Sequence, residues 1–449
     1  MDQSSEDYED KIFISYRKQK ITFSDFYLNV SVKSKAMKNL DLAKDLSVGI
    51  LLSNPIDILE IYFACIQINR VPIIMPIDIT NHELQKIIND NKINFFISEW
   101  LRKDQIKEIK NATFFYNQEL STSYGGCASI DFSDKIKNLN AIQSMHLTSG
   151  STGSQKLIGL SFNNFIHSVE QWNHEISFKS KDRYIQCLPL NHIAGLSIAI
   201  RSQIVGFETI LMDKYNSSKI NYEIDNGATI VSLIPSMLKR LLDDRSGKPF
   251  PKHLKAIIIG GASCSDKLIK EAIKYNAPIY KTYGMTETCS GIAGFWVSKH
   301  PDMIHSSGKS FNQTKINIID SEISISGPTV TPFDIDGKKT NQKIKTFDLG
   351  FFKRGFLFLE GRTDDIVISA GENISLSKLE NTLINHPNIV DIYINTELDG
   401  SSDNKIIAYV KVDLESLNVN DIYDYCKKYL SINKIPFSIE IVDSITDNE

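Results

Sequence analysis

The sequence predicts an α/β protein with a large N-terminal domain of parallel βαβ sheets and a small α+β domain at the C-terminus. Its 449 residues exceed the roughly 250 to 300 residues at which a single hydrophobic core stops growing. Short apolar runs alternate with longer amphipathic stretches along most of the chain, which is typical of parallel strands linked by helices. After about residue 315 short strands separated by turn residues follow, which indicates a β-rich unit.

The elements of the large domain follow one another in βαβ order. SVGILLS at 47–53 predicts a strand, PIDILEIYFACIQIN at 55–69 a helix, and VPIIMP at 71–76 the next strand. The pattern recurs where ATIVSLI precedes PSMLKRLLDD and where LKAIIIGG precedes SDKLIKEAIKYN. Ser265 stands immediately before the last of these helices and is predicted to cap its N-terminus.

Two further units complete the predicted architecture. The strands INIID, EISISG and FLFLEG form a β-rich subdomain at about 315–361, which closes a large domain spanning 1–361. The small domain at 365–449 combines a helix from about Ser375, the strands VDIYIN and KIIAYVKVD, and a helix at 419–430. At roughly 85 residues it exceeds the size of about 40 residues below which domains usually need disulfides or metals.

Composition narrows the class of protein. Apolar residues make up 42% and charged residues 23%, the proportions of a soluble globular protein. A net charge of −4 disfavours binding to nucleic acid. The six cysteines form no CxxC or Cys/His pattern, which predicts reduced thiols in a cytoplasmic protein. The acidic start MDQSSEDYED and the lack of a long apolar run predict neither a secretory signal nor a membrane span, and a homo-oligomer stays open.

Two polar runs suggest a site for nucleotide phosphates. LTSGSTGSQK occupies Leu147 to Lys156, and TYGMTET occupies Thr282 to Thr288. Glycines let the backbone approach an oxyanion, hydroxyl and N–H groups donate to it, and a lysine adds charge. The first run is not a Walker P-loop, whose Gly-Lys-Ser/Thr ending is absent. A Ser/Thr/Gly loop is by itself more often a solvated connection, so the downstream motifs decide its meaning.

The order of motifs resembles the adenylate-forming superfamily of acyl- and aryl-CoA ligases, adenylation domains and luciferases. The resemblance covers nearly the whole chain and implies ATP, Mg²⁺ and CoA as the small molecules bound, with a small domain that is mobile. It rests on TSGSTGSQK, LPLNHIAG at 188–195, IIGGAS at 258–263, YGMTE at 283–287, FDLG at 347–350 and GRTDDIVISAGENIS at 361–375.

The resemblance assigns the phosphate contacts. Activating an acid brings its carboxylate to within about 3 to 3.5 Å of a phosphate, which requires cations and donors. Glu287 matches the carboxylate that holds Mg²⁺, and Thr286 matches the residue that contacts the α-phosphate or the acyl-adenylate. The family usually has Pro before the loop lysine and Gly after it, so Gln155 and Leu157 predict altered loop stiffness. The loop residues assigned to the β- and γ-phosphates are Thr148, Ser149, Gly150, Ser151, Thr152, Gly153 and Lys156.

The nucleoside, the hinge and the CoA tunnel are assigned in the same way. Asp348 matches the acceptor of both ribose hydroxyls, and Arg362 is expected beside it. Asp364 matches the hinge of the small domain, although an exposed acidic turn is the commoner meaning of two adjacent aspartates. The adenine contacts are Gly260, Gly261, Ala262 and Tyr283, with Gly284 and Met285 as further nucleotide contacts. The CoA tunnel is lined by Ala370, Gly371 and Glu372.

The segment HIAGLSIAIRS predicts a helix that forms one wall of the acyl pocket. A lone His is more often a satisfied core residue, but the resemblance implies that His192 gates the pocket and contacts the acyl group, with Gly195 close by. If the helix faces the pocket, Arg201 presents a guanidinium suited to a second carboxylate. If it faces outward, Arg201 is a surface arginine, and both alternatives stay open.

Within the superfamily, the short length and the segments LPLNHIAGLSIAIRS and YGMTETCSGIAG most resemble the 2-succinylbenzoate–CoA ligases of menaquinone and phylloquinone biosynthesis. The expected activity is that of an AMP-forming acid–CoA ligase. Two alternatives stay open: another aryl- or acyl-CoA ligase or a carrier-loading adenylation enzyme, and a nucleotide-binding homologue with impaired catalysis.

The last alternative rests on the end of the sequence. Family members follow a segment like IPFSIEIVDSI with a Gly-Lys pair whose lysine bridges the acyl carboxylate and the α-phosphate, whereas this sequence continues SITDNE to Glu449. Electrostatic groups of this kind contribute about 10² to 10³ in rate. Either the sequence is a piece of a longer chain, or it adenylates slowly, or another cation substitutes. The thioester step is expected to survive in each case.

Overall fold

The computed structural model describes most of the chain. The described residues are 9–40, 47–120, 138–148, 156–333, 338–363, 365–369, 372–398, 404–413, 417–430, 435–436, 438–443 and 445.

Two mixed sheets form the bulk of the fold. The strands that build them, β1 to β15 in chain order, are Ile12–Tyr16, Gln19–Thr22, Ser47–Leu51, Val71–Ile74, Phe95–Ser98, Thr113–Tyr116, Ile142–Thr148, Lys156–Ser161, Arg183–Gln186, Glu208–Leu211, Ile230–Leu233, Ala256–Ile259, Ile279–Met285, Ser290–Trp296 and Lys309–Ser310. One sheet has the order β15-β14-β13-β12-β11-β9-β10-β1-β2, and the other has the order β6-β5-β3-β4-β7-β8.

The predicted parallel βαβ architecture is confirmed in the middle of both sheets. Strands β9 to β13 pair in parallel, as do β3, β4 and β5. The pairs β7 with β8 and β13 with β14 are antiparallel, which the sequence did not predict. The second polar run ends β13 and continues into the turn that leads to β14, and the described ends of the first run, Thr148 and Lys156, belong to β7 and β8.

Helices connect these strands and bury their apolar faces. In chain order α1 to α11 are Phe23–Asn39, Pro55–Gln67, Asn81–Asn91, Asn117–Leu120, Phe162–Ile176, Ile193–Val205, Ser217–Asp225, Pro235–Arg245, Asp266–Lys274, Leu376–Ile384 and Val419–Tyr429. The predicted helices at 55–69 and 419–430 are confirmed to within two residues of each end. Pro55 stands in the first turn of α2, where its missing N–H costs nothing.

The predicted cap of α9 is also confirmed. The Ser265 side chain accepts a hydrogen bond from the backbone N–H of Leu268 at 3.3 Å. We expect Ser265→Ala to lower the free energy of unfolding by about 1 kcal/mol, because one N–H of the first turn loses its acceptor. Urea unfolding measures this. Ser217→Ala, at the first residue of α7, whose cap is Asn216, serves as the control and is expected to leave the midpoint unchanged.

A four-stranded antiparallel sheet follows the two large ones. Its strands β16 to β19 are Lys315–Ile319, Glu322–Ser326, Lys343–Lys353 and Phe356–Arg362, paired in that order. The sequence predicted three of them, while β18 was noticed only for its FDLG motif. Ile316, Ile323 and Leu357 pack with Ile292 and Ala293 of β14, so this sheet and the nine-stranded sheet share a core.

The C-terminal part has a core of its own. Its strands β20 to β24 are Ile366–Ser369, Glu372–Ser375, Ile389–Leu398, Asn404–Val412 and Ser438–Ile441. Their apolar residues and those of α10 and α11 form one cluster that runs from Ile374 to Ile439, and in the part of the chain that the structure describes it includes no buried residue from the preceding sheets. A separate core is what an independent small domain requires, which agrees with the predicted α+β unit.

A cleft of about 370 Å³ separates this unit from the large sheets. Helices α8 and α9 line one side, and α10, β22 and Asp413 line the other. The Lys267 ammonium of α9 crosses between them, donating to the Pro387 carbonyl and lying 3.4 Å from an Asp413 carboxylate oxygen. Burial, together with the neighbouring Asp365 and Asp391 carboxylates, raises the pKa of Glu380, on the cleft wall, to about 7.

This raised pKa predicts a pH-dependent stability. A carboxyl group whose pKa is higher in the folded state stabilises the fold at low pH, and that stability is lost as the pH rises through about 7. We expect Glu380→Gln to stabilise the chain at pH about 8.5 by about 2 kcal/mol, after screening of the half-buried group, and to change nothing near pH 4. Chemical denaturation at both pH values measures this. The same change at the exposed Glu360 is the control, and an equal response from both variants would contradict the assignment.

Candidate functional site

The turn after β12 can lie against β13 because Gly260 carries no side chain. A Cβ on Gly260 would lie 2.8 Å from the Thr282 Cγ2 atom, which is closer than real Cβ contacts. Gly261 has a φ of +82°, a conformation that favours glycine. The start of this turn therefore lies against Thr282, the residue before Tyr283 in β13, which is compatible with the predicted adenine site.

Strand β13 ends in the second predicted group of nucleotide contacts. A Cβ on Gly284 would lie 2.1 Å from the Ser290 carbonyl oxygen, so only glycine allows β14 to approach this closely. The Tyr283 hydroxyl donates to a carboxylate oxygen of Asp348. Burial raises the pKa of Tyr283, and the neighbouring Asp348 raises it further, so the phenol stays protonated as a donor.

Asp348 and Arg362 lie opposite each other on neighbouring strands. They are paired residues of β18 and β19, and an Arg362 Nη1 donates to Asp348 Oδ1 at 2.9 Å. Asp348 is 7% exposed, and a buried carboxylate needs partners of this kind. The sequence expectation that Arg362 lies beside Asp348 is confirmed. The contact of Asp348 with ribose hydroxyls stays a prediction.

Glu287 lies in the single 3-10 turn Thr286–Thr288 between β13 and β14. Burial raises the pKa of its carboxyl group, while Arg362 lowers it, which places the two side chains within electrostatic reach. The turn is held by a hydrogen bond from the Thr331 N–H to the Glu287 carbonyl at 2.7 Å. Tyr283, Glu287, Asp348 and Arg362 therefore converge from three separate stretches of sequence.

The chemistry of these residues fits a magnesium ion bound together with ATP. Among the described residues, no group of three or more His, Cys, Asp or Glu side chains could hold a metal ion. Mg²⁺ is commonly held by one or two carboxylates together with phosphate oxygens rather than by a cage made of protein alone. A single carboxylate at Glu287 suits that arrangement.

The predicted phosphate loop is described only at its two ends. Thr148 and Lys156 are paired residues of β7 and β8, and the Thr148 hydroxyl donates to the Lys156 carbonyl at 3.3 Å. The remaining predicted contacts, Ser149, Gly150, Ser151, Thr152 and Gly153, lie outside the described residues.

His192 and Gly195 lie at the start of α6. His192 is the exposed residue before the helix, and partial burial lowers the pKa of its imidazole, so the neutral ring is favoured. A Cβ on Gly195 would lie 2.3 Å from the Pro189 carbonyl oxygen, so glycine lets the helix pack on the preceding LPL segment. This gives Gly195 a packing role, while contact of either residue with an acyl group stays a prediction.

A buried histidine that the sequence analysis missed lies near His192. Burial, together with the nearby His192, lowers the pKa of His146, on β7, to about 4. Its Nε2 atom lies 2.9 Å from the Ser144 hydroxyl oxygen. The His146 ring is therefore neutral at physiological pH. Nothing in the local sequence indicated that this histidine would be buried.

Arg201 faces the interior, so the surface-arginine alternative is wrong. The residue is 2% exposed, and its Nη2 atom donates to the Ser290 hydroxyl at 2.9 Å. Its guanidinium lies 4.7 Å from the centroid of the Trp172 ring. Sequence reasoning missed Trp172 and Ser290, because residues so far apart along the chain carry no local signal of contact.

The predicted hinge and CoA tunnel are largely undescribed. Asp364, Ala370 and Gly371 lie outside the described residues, and only the backbone of Glu372 is described, at the start of β21. Within the described part of the chain, no helix has the length and apolar character needed to cross a bilayer.

This chain resembles a ligase known by its sequence and a synthetase of solved structure. A 2-succinylbenzoate–CoA ligase from Bacillus cytotoxicus is 24% identical over 457 residues, covering 98% of this chain and 93% of that protein. The o-succinylbenzoate coenzyme A synthetase of Bacillus subtilis, solved with ATP and a magnesium ion, has a TM-score of 0.85 at 25% identity, covering 96% of this chain and 93% of that one. A double mutant of that synthetase bound to a product analogue has a TM-score of 0.74 at 24% identity, with 97% and 93% coverage.

A match to a family profile identifies the family of the chain. The sequence profile of AMP-binding enzymes matches residues 1–331, which is most of the chain and includes the turns at Gly260 and Glu287. This chain belongs to the family of AMP-binding enzymes.

Proposed function

We propose that this chain is an AMP-forming acid–CoA ligase that converts 2-succinylbenzoate to its CoA thioester, as a step of menaquinone or phylloquinone biosynthesis. The observation that carries the nucleotide part is the convergence of Tyr283, Glu287, Asp348 and Arg362 at one end of β13. The relatives named 2-succinylbenzoate–CoA ligase support the choice of acid.

The buried Arg201 supports an acid that has two carboxylates. One carboxylate reacts with ATP, and the other needs a partner if it is to enter an apolar pocket. A guanidinium in the wall of that pocket supplies charge and directional donors. Monocarboxylic acids would leave Arg201 without a counter-charge.

The proposed reaction has two steps. In the first, a carboxylate oxygen attacks the α-phosphorus of ATP, the bond to the bridging oxygen breaks, and pyrophosphate leaves. In the second, the CoA thiolate attacks the acyl carbonyl carbon, the bond to the phosphate oxygen breaks, and AMP leaves. Glu287 would hold Mg²⁺, which neutralises charge on the phosphate oxygens when bound.

Each nucleotide contact then has one task. The Gly260–Ala262 turn and the Tyr283 ring bind adenine, Asp348 accepts from the ribose hydroxyls, and Arg362 donates to the Asp348 carboxylate and holds it in place. Thr148 and Lys156 would meet the outer phosphates.

We further propose that the unit after Asp364 turns between the two steps. Its separate core and the Lys267 contacts across the cleft support a rigid unit that docks reversibly. The TM-score of 0.85 against the complex with ATP, compared with 0.74 against the product-analogue complex, supports assigning the present arrangement to the adenylation step. The reduced cysteines support a cytoplasmic location.

Mass spectrometry of the products tests the function. The purified chain is incubated with ATP, Mg²⁺ and CoA and with one of three acids: 2-succinylbenzoate, 4-oxo-4-phenylbutanoate or 2-butanoylbenzoate. The last two acids each lack one of the two carboxylates. AMP and a CoA thioester from 2-succinylbenzoate in clear preference are expected. Thioester from other acids alone would favour a different acyl-CoA ligase. ATP binding by calorimetry without acid-dependent pyrophosphate release would favour the impaired homologue.

A further inference from the structure

Two buried arginines of this chain have opposite surroundings. Arg245, 5% exposed, donates to an Asp225 carboxylate oxygen at 2.8 Å and to the Asn221 amide oxygen at 3.0 Å. Arg201, 2% exposed, pairs with no carboxylate in the described part of the chain, and its Nε atom has no hydrogen-bond partner there. Burying a charge without a counter-ion costs free energy, so Arg201 is built for something other than stability.

Trp172 and Ser290 contact the Arg201 guanidinium, and the Tyr184 hydroxyl also lies within hydrogen-bonding reach of it. The Trp172 ring lies under the guanidinium at 4.7 Å, and the Trp172 indole N–H donates to the same Ser290 hydroxyl oxygen as Arg201, at 3.2 Å. A Cβ on Gly291 would lie 2.4 Å from the Trp172 Cζ2 atom, so the indole packs directly against the strand at that glycine. The aromatic ring therefore has little freedom to move away from the guanidinium.

More hydrogen-bond donors approach the Ser290 hydroxyl oxygen than it has lone pairs to accept them. It accepts from Arg201 Nη2 at 2.9 Å, from the Trp172 indole at 3.2 Å and from the Gly291 N–H at 2.6 Å. A hydroxyl oxygen has only two acceptor lone pairs. The three donors compete, so the guanidinium keeps unused capacity to donate to an incoming anion. Burial also lowers the pKa of Arg201, and a nearby anion would reverse that effect.

We propose that Trp172 and Ser290 are positioning residues that hold Arg201 for the second carboxylate of the acid, and so set the preference for dicarboxylic over monocarboxylic acids. This inference rests on the proposed function and deepens it. The face of the Trp172 ring lies against the guanidinium and keeps its plane fixed. The Ser290 hydroxyl accepts a hydrogen bond at the edge of the guanidinium. A carboxylate that binds would then find its partner already oriented.

Steady-state kinetics of Trp172 variants test the proposal. Trp172→Leu removes the ring face, and we expect the KM for 2-succinylbenzoate to rise about 3- to 30-fold, the range that a cation–π contact spans. We expect kcat to change by less than about twofold, and the KM for whichever single-carboxylate acid reacts to stay unchanged. Trp172→Phe keeps a ring face and is expected to recover most of the loss. Trp296→Phe, the control, replaces a tryptophan by phenylalanine at the end of β14, where the indole contacts Tyr280. It is expected to leave the KM values for both acids unchanged.

A double-mutant cycle separates positioning from general damage to the fold. The quantity compared is the ratio of the KM for 2-succinylbenzoate to the KM for the single-carboxylate acid. If Trp172 acts through Arg201, adding Trp172→Leu to Arg201→Met will not change this ratio further. Additive effects, or a rise in KM that is equal for both acids, would overturn the proposal. Ser290→Ala is expected to follow the same pattern with a smaller change, since the ring face remains.

The proposed function can fail separately. If the wild-type chain makes no thioester from 2-succinylbenzoate, that function is wrong, and the cycle is then run on calorimetric binding of phthalate, an aromatic dicarboxylate. Weaker binding by Trp172→Leu and by Arg201→Met, with no additivity, would still support the positioning of Arg201. Equal binding by the wild type and Arg201→Met would overturn it.

Discussion

Glu287→Gln is expected to lower the rate of Mg²⁺-dependent AMP formation by about 10²- to 10³-fold, the cost of losing one well-placed electrostatic group. The substitution keeps the shape of the side chain and its turn, which is held by the Thr331 N–H to the Glu287 carbonyl. Only the charge that would meet the metal is lost. Pyrophosphate release at increasing Mg²⁺ measures the effect, and the Mg²⁺ concentration for half-maximal rate should rise along with it.

The buried setting of Glu287 adds a pH dependence to this result. Burial raises the pKa of Glu287, so a proton competes with the metal for the carboxylate at low pH. In the wild type the Mg²⁺ requirement should therefore grow as the pH falls, and in Glu287→Gln it should not. The exposed Glu170 of α5 provides the control substitution, which is expected to change neither quantity. A Mg²⁺ requirement that is the same in the wild type and in Glu287→Gln would remove Glu287 as the ligand.

Local features of the fold followed well from the sequence, whereas contacts between distant segments did not. The helix at Pro55–Gln67 and the cap at Ser265 were predicted because hydrophobic period and capping chemistry are written in neighbouring residues. The antiparallel pairing of β13 with β14 was missed. It depends on the geometry of the turn at 286–289, which the four residues TETC do not specify by themselves.

The candidate site divides in the same way. Motif order placed Tyr283, Glu287, Asp348 and Arg362 in one nucleotide site, and the structure brings them together. Trp172 stands in α5, a helix that the sequence analysis did not single out. Its contact with Arg201 depends on the closeness of α5, α6 and β14, which is a property of the packed core.

Arg201→Met is expected to change activity and stability in opposite directions. Methionine keeps the length of the side chain without its charge, so the second carboxylate of the acid loses its partner. We expect the KM for 2-succinylbenzoate to rise about 100-fold, which is the loss of about 2.7 kcal/mol of charge-assisted hydrogen bonding, and the preference over single-carboxylate acids to disappear. Kinetics with the three acids named above measure this.

The thermal stability of Arg201→Met is expected to contrast with its loss of substrate affinity. Replacing an unpaired buried charge by an apolar side chain of similar volume is often neutral or stabilising by about 1 to 4 kcal/mol, so the thermal midpoint of Arg201→Met should stay or rise. Arg245→Met is the matched comparison, because it would strip Asp225 and Asn221 of a partner, and its midpoint should fall while kcat and KM stay unchanged. If Arg201→Met destabilised the chain as Arg245→Met does and left the acid preference intact, Arg201 would be a structural arginine. The opposite pattern means that the chain tolerates a destabilising charge at this position because that charge recognises the substrate.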